Sequence, residues 1–93
     1  MADRANVRVR VSGRVQGVGY RAWCRDAARA RGLDGWARNE ADGSVTVVLS
    51  GPREEADAMI GALSEGPATA SVESSEVSGE AAAPDAAGFE IRR

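Results

Sequence analysis

The chain has 93 residues, the length of one domain, with a net charge of −2 and a pI of about 5.1. It contains no histidine and a single cysteine, Cys24, so it lacks the ligands of a transition-metal site and cannot form an internal disulfide. A magnesium site made of carboxylates alone stays open. No segment approaches the ~20 apolar residues of a membrane span, so we expect a soluble, cytoplasmic protein.

The first half of the chain predicts a strand, a glycine-spaced loop, a helix and a second strand. Val7, Val9 and Val11 alternate with polar residues, which is typical of a half-buried strand. A loop over residues 13–19 follows, in which three of the seven positions are glycine. From residue 20 the apolar residues recur with helical spacing up to Gly32. The second strand is predicted over residues 33–39.

The second half predicts a hairpin, another helix and a less regular end. The dipeptide Asp42-Gly43 is a strong signal for the turn of a hairpin, with the next strand over residues 44–50. The following helix is expected to end at Gly66. The last third predicts three weaker features: a poor strand over residues 70–77, a mobile loop over residues 79–88, and a short edge strand containing Phe89 and Ile91.

This order of elements predicts an α+β, ferredoxin-like βαββαβ sandwich. We expect a mixed, mainly antiparallel sheet of four to five strands with two helices on one face, formed by a single domain over residues 1–93. In such a split βαβ unit the first and second strands are parallel, with the third between them. Both therefore end at the same edge of the sheet. Topology thus predicts that the glycine-spaced loop and Asn39 lie close together.

The glycine-spaced loop has the features of an anion site. Gly13, Gly17 and Gly19 permit backbone conformations in which successive N–H groups converge, and the next helix directs its positive end to the same place. Arg21, in the first helical turn, adds a planar guanidinium that suits two phosphate oxygens. A glycine-rich connector beside a surface arginine is the alternative interpretation, because the loop matches neither the dinucleotide fingerprint nor the common nucleotide phosphate loop.

Charge is distributed unevenly along the chain. Residues 1–38 hold nine arginines and three acids, whereas residues 39–93 hold three arginines and eleven acids. A positive first half favours a small anionic ligand, and the acidic overall balance argues against a polyanionic partner. The alternative is that the asymmetry averages out once the chain folds.

Two motifs in these segments resemble the signatures of the acylphosphatase family. The sequence GRVQGVGYR at residues 13–21 resembles the first signature. The sequence GWARN at residues 35–39, followed by Gly43 and Gly51, resembles the second. Both motifs have the order and separation typical of the family, and the resemblance covers essentially the whole chain. The departures lie in the last third, at Ser74, at Ser75 and in the alanine-rich segment over residues 79–88.

The resemblance implies that the chain hydrolyses the carboxyl–phosphate bond of small acyl phosphates, with no metal, cofactor or phosphoenzyme. It implies that Arg21 binds the phosphoryl group and that Asn39 positions the attacking water. The phosphate-binding residues that it implies, besides Arg21, are Val15, Gln16, Gly17, Val18, Gly19 and Tyr20. We expect a monomer that has no nucleic-acid or membrane partner.

Three other functions are compatible with the predicted fold. A nucleic-acid-binding module would need aromatic residues on the central strands and a basic surface, and the first and third strands carry no aromatic residue. A regulatory ligand-binding domain would have an inactive site. A unit of a larger carbamoyl-transfer maturation protein is the third alternative, because such proteins contain an acylphosphatase-like unit.

Overall fold

The computed structural model describes residues 3–84 and 87–93. These residues form the following elements in chain order: β1 (Arg4–Arg14), α1 (Tyr20–Ala30), β2 (Asp34–Asn39), β3 (Val45–Pro52), α2 (Arg53–Glu65), β4 (Ser71–Glu80) and β5 (Phe89–Arg92). The predicted ferredoxin-like α+β fold is confirmed, with five strands. Neither helix in the described part has the length and apolar character needed to cross a bilayer.

The strands form one sheet in the order β4-β1-β3-β2-β5. β3 pairs antiparallel with both β1 and β2, so β1 and β2 run parallel with β3 between them, while β5 pairs parallel with β2. The registers place Val11 opposite Val45, and Val45 opposite Asn39. Asn39, the last residue of β2, thus lies level with Val11 near the end of β1, so both strands end at the same edge of the sheet, as the topology predicted.

Both helices pack on one face of this sheet. In β1, Val9 and Val11 are buried in the core while Arg8 and Arg10 are exposed, so the period-2 pattern separates the two faces. The core also contains Val47 and Leu49 from β3, Tyr20 and Cys24 from α1, and Met59 and Leu63 from α2. Burial of these apolar side chains fixes α1 over β2 and β5, and α2 over β1, β3 and β4.

The C-terminal third differs in part from the sequence prediction. β4 runs to Glu80, so the prediction of a loop beginning at Gly79 is wrong for those two residues. β4 tolerates its serines and glutamates because it is an edge strand, bonded to β1 on one side and largely exposed on the other. The predicted loop positions 85 and 86 lie outside the described residues. The short edge strand around Phe89 and Ile91 is confirmed as β5.

Candidate active site

A cavity of about 170 Å³ lies where the ends of β1 and β2 meet the start of α1. Its lining residues are Val15, Gly17, Gly19, Tyr20, Arg21, Ala22, Asn39 and Ile91. Arg21 and Asn39, which are far apart in the sequence, therefore share one cavity. The crossover through α1 produces this meeting, because it returns the chain to a strand parallel to β1.

The backbone of residues 15–19, here called the glycine loop, forms one wall of the cavity. Gly17 and Gly19 adopt left-handed conformations, with φ of 72° and 80°, and have no side chain, so their backbone faces the cavity. Gly19 is also the N-cap of α1 and supplies no side-chain cap. Within the described chain, the N–H groups of residues 16–22 donate to no protein acceptor. These unpaired donors suit an anion.

The guanidinium of Arg21 lies in the first turn of α1, a turn that contains no acidic residue. Its Nη1 donates to the carbonyl of Arg92 in β5 at 3.0 Å. Across residues 3–84 and 87–93, Arg21 makes no ion pair, and no lining residue of the cavity is acidic. The guanidinium and the helix N-terminus therefore both favour negative charge at this place.

Asn39 is the last residue of β2 and pairs with Val45 in the sheet. Its side-chain Oδ1 is buried, and no described residue donates a hydrogen bond to it. Leaving a buried acceptor unpaired costs about 1–3 kcal/mol. Buried polar atoms of this kind in native proteins call for an explanation, and binding of a small donor in the cavity is one.

The side chains of Tyr20 and Cys24 are buried in the core, although Tyr20 also lines the cavity. The hydroxyl of Tyr20 donates to the carbonyl of Leu63 in α2 at 2.7 Å, and burial raises the pKa of this phenol above its usual value. Burial also raises the pKa of the Cys24 thiol to about 12. The thiol therefore stays protonated, and the interpretation of Cys24 as a core residue is confirmed.

Gln16 and Val18, two of the predicted phosphate-binding residues, do not line the cavity. The side chain of Gln16 points to the β2–β3 turn, where it donates to two carbonyls. Val18 packs against the core, and its carbonyl accepts a hydrogen bond from Thr69 Oγ1 at 2.8 Å. These two residues attach the glycine loop to its surroundings.

Two lining residues, Ala22 and Ile91, and the carbonyl of Arg92 were not predicted from the sequence. Ala22 follows Arg21 in the first turn of α1, so its position was available from the helical pattern. Ile91 reaches the cavity because β5 pairs parallel with β2, with Ile91 opposite Ala37. The alternation of Phe89 and Ile91 indicates a strand, but the local sequence does not say which strand it joins.

Comparison with known proteins identifies the family. The family model described as acylphosphatase matches residues 7–91. The chain is 50% identical over 94 residues to the acylphosphatase of Natronomonas pharaonis, covering 100% of both chains. It is 51% identical over 81 residues to that of Azorhizobium caulinodans, covering 87% of each. The structure of an acylphosphatase from Coxiella burnetii matches with a TM-score of 0.88 at 33% identity, covering 97% of this chain and 94% of that one. The chain therefore belongs to the acylphosphatase family.

Proposed function

We propose that this acylphosphatase hydrolyses small acyl phosphates by direct attack of water on phosphorus. Arg21 and the backbone N–H groups of residues 15–20 hold the phosphoryl group, and Asn39 positions the water. One observation carries the proposal: unpaired N–H donors, a guanidinium without a carboxylate partner and a buried carboxamide oxygen without a donor meet at one cavity of the described chain.

The size of the cavity favours a small substrate. At about 170 Å³ it is smaller than the usual pocket of a drug-sized ligand, which is roughly 300–1,000 Å³. The phosphoryl group occupies the polar end, beside the glycine loop and Arg21. Val15, Ala22 and Ile91 supply apolar surface for a short acyl group.

The chemistry asks little of the protein besides positioning and charge. The leaving group is a carboxylate whose conjugate acid has a pKa near 4, similar to Asp or Glu, so it departs as an anion without a general acid. The water oxygen forms a bond to phosphorus, the bond to the acyl oxygen breaks, and its electron pair leaves with the carboxylate. One proton of the water passes to a phosphoryl oxygen. Arg21 and the N–H groups stabilise the charge on the equatorial oxygens.

The same proposal assigns the reaction to a monomer in the cytoplasm that uses no metal. All the lining residues come from one chain, so the cavity does not need a second copy. The single cysteine is buried in the core, so the fold does not depend on an oxidising compartment. The negative charge on the substrate is balanced by Arg21 and the end of α1.

The open face of the sheet gives little support to the alternative of a nucleic-acid-binding module. Trp36 is only 9% exposed. The guanidinium carbons of Arg38 and Arg92 lie 5.0 Å and 4.8 Å from the centroid of its ring. These side chains occupy the surface on which a base would stack.

Phosphate release from acetyl phosphate and benzoyl phosphate, with and without a chelator, tests the proposal. Arg21→Ala should lower kcat/KM by at least ~10²–10³ and abolish inhibition by inorganic phosphate, as expected for removal of a charge-stabilising donor. Asn39→Ala should lower kcat but retain that inhibition. Arg25→Ala is a matched control in the same helix, because Arg25 pairs with Asp26 at the surface. The chelator should have no effect.

Four results would contradict this proposal or parts of it. Wild-type rates in a folded Arg21→Ala protein would show that Arg21 does not bind the phosphoryl group. A parallel loss of rate and of phosphate affinity in Asn39→Ala would make Asn39 a binding residue. Loss of activity with the chelator would show that a metal takes part. A folded wild-type protein with no phosphate release would favour the alternative of a regulatory domain.

A further inference from the structure

The side chain of Gln16 connects the glycine loop to the turn between β2 and β3. Its Nε2 donates to the carbonyl of Glu40 at 2.8 Å and to the carbonyl of Ser44 at 2.9 Å. These two bonds use both hydrogens of the amide group. They join segments that are 24 and 28 residues apart in the sequence.

The turn that receives these bonds is itself fixed. The N–H of Glu40 donates to the carbonyl of Ser44 at 2.8 Å, and the N–H of Gly43 donates to the carbonyl of Glu40 at 3.2 Å. The carboxylate of Asp42 accepts from both the N–H and the hydroxyl of Ser44. Gln16 thus donates to two carbonyls, each of which already accepts a backbone hydrogen bond within the turn.

The two ends of this connection lie beside the two halves of the cavity. Gln16 stands between Val15 and Gly17, which line the cavity. Glu40 directly follows Asn39, whose carboxamide also reaches the cavity. The Gln16 bonds therefore join a residue next to Val15 and Gly17 to a residue next to Asn39.

We propose that Gln16 is a positioning residue for the hydrolysis. It sets the separation between the N–H groups of the glycine loop and the carboxamide of Asn39, so that the water lies in line with the leaving group. The inference rests on the proposed function, which assigns the water to Asn39. The side chain of Gln16 acts by holding the backbone and not by contact with the substrate, because its amide nitrogen donates to Glu40 and Ser44.

Loss of these bonds should affect the rate more than phosphate binding. The N–H groups of the loop and Arg21 lie on the same side of the connection and keep their relation to each other. Asn39 lies on the other side of the connection, paired in the sheet, so the loop can shift relative to it. Because a displacement of 1 Å can cost ~10²-fold in rate, Gln16→Met should lower kcat by roughly 10–10²-fold. The inhibition constant of inorganic phosphate should change by less than about 3-fold, since the phosphate-binding groups stay together.

Thr69→Val is the matched control for this variant. Thr69 also donates one side-chain hydrogen bond to a carbonyl of the glycine loop, that of Val18, but it does not connect the loop to the β2–β3 turn. Its kcat should stay within about 2-fold of the wild type, because the two halves of the cavity remain joined. An equal fall of kcat in Thr69→Val would overturn the specific role of Gln16.

A double-mutant cycle separates positioning from general damage. In the Asn39→Ala background, Gln16→Met should lower kcat by less than about 3-fold, because the group that it positions is gone. If the two losses multiply, Gln16 does not act through Asn39 and the inference fails, while the proposed function stands. If Asn39→Ala alone keeps the wild-type rate, the proposed role of Asn39 fails first. Should Gln16→Met not fold, Gln16→Asn, which is one methylene short, takes its place with the same expectations.

Discussion

Replacing Tyr20 with Phe would remove one hydroxyl from the buried junction between α1 and α2. Tyr20 is 1% exposed, and its hydroxyl donates to the carbonyl of Leu63 at 2.7 Å. Leu63 lies in the last turn of α2, where the carbonyls receive no hydrogen bond from an N–H group of the same helix. The N–H of Gly66 donates to the carbonyl of Ala62 and not to that of Leu63. The phenol therefore pairs a carbonyl that the substitution would leave buried and unpaired.

The expected loss follows from this geometry. Leaving a buried acceptor without a donor costs about 1–3 kcal/mol, and we take about 1.5 kcal/mol because the aromatic ring and its packing are kept. For a domain of this size each 1 kcal/mol lowers Tm by roughly 4–8 °C, so Tm should fall by about 6–12 °C. Because burial raises the pKa of Tyr20, the phenol stays protonated near neutral pH and the difference should not depend on pH there.

Thermal unfolding followed by circular dichroism, together with hydrolysis rates at 25 °C, would test this prediction. Ser64→Ala is the control, since Ser64 is exposed and its hydroxyl donates to the carbonyl of Gly61 in the same helix. The control should change stability by no more than about 0.5 kcal/mol. A Tm for Tyr20→Phe equal to that of Ser64→Ala would refute the argument. A large fall of kcat in folded Tyr20→Phe would show that the hydroxyl takes part in the reaction.

Three further predictions concern the site and its surroundings. Arg21→Lys keeps the charge but loses the planar fork, so kcat/KM should fall by ~10–10²-fold; full activity would show that charge alone suffices. The hydrogen bond from Thr46, followed by that from Arg38, lowers the pKa of the Glu40 carboxyl. These hydrogen bonds to the ionised carboxylate therefore stabilise the folded state above the ordinary pKa of about 4.3, and this stabilisation is lost as pH falls through the lower pKa of the folded state. Glu40→Gln should therefore have a lower Tm than the wild type at pH 7, with the gap closing in acid, and a constant gap would contradict this. Because burial raises the pKa of Cys24 to about 12, thiol reagents at pH 8 should label the folded protein far more slowly than the unfolded chain, and equal rates would count against it.

Much of the fold was predictable because its elements are encoded locally. The alternation of Val7, Val9 and Val11 gave β1, and the helical spacing after residue 20 gave α1. Prediction was weakest for β4, whose serines and glutamates have low strand propensity. That segment becomes a strand because it forms backbone hydrogen bonds with the free edge of β1. The local sequence of β4 does not show that this pairing partner exists.

The sequence by itself determined the composition of the candidate site: a glycine-spaced loop that ends in a helix, an arginine in its first turn, and an asparagine at the end of a strand. These are local features, set by backbone freedom and by helix polarity. Only the tertiary structure decided which groups meet. The pairing of β5 beside β2 brings Ile91 to the cavity and the carbonyl of Arg92 to Arg21, and packing turns Gln16 away from the cavity towards Glu40 and Ser44. Such contacts join residues more than twenty positions apart, so they exist only once the sheet and its two helices have packed together.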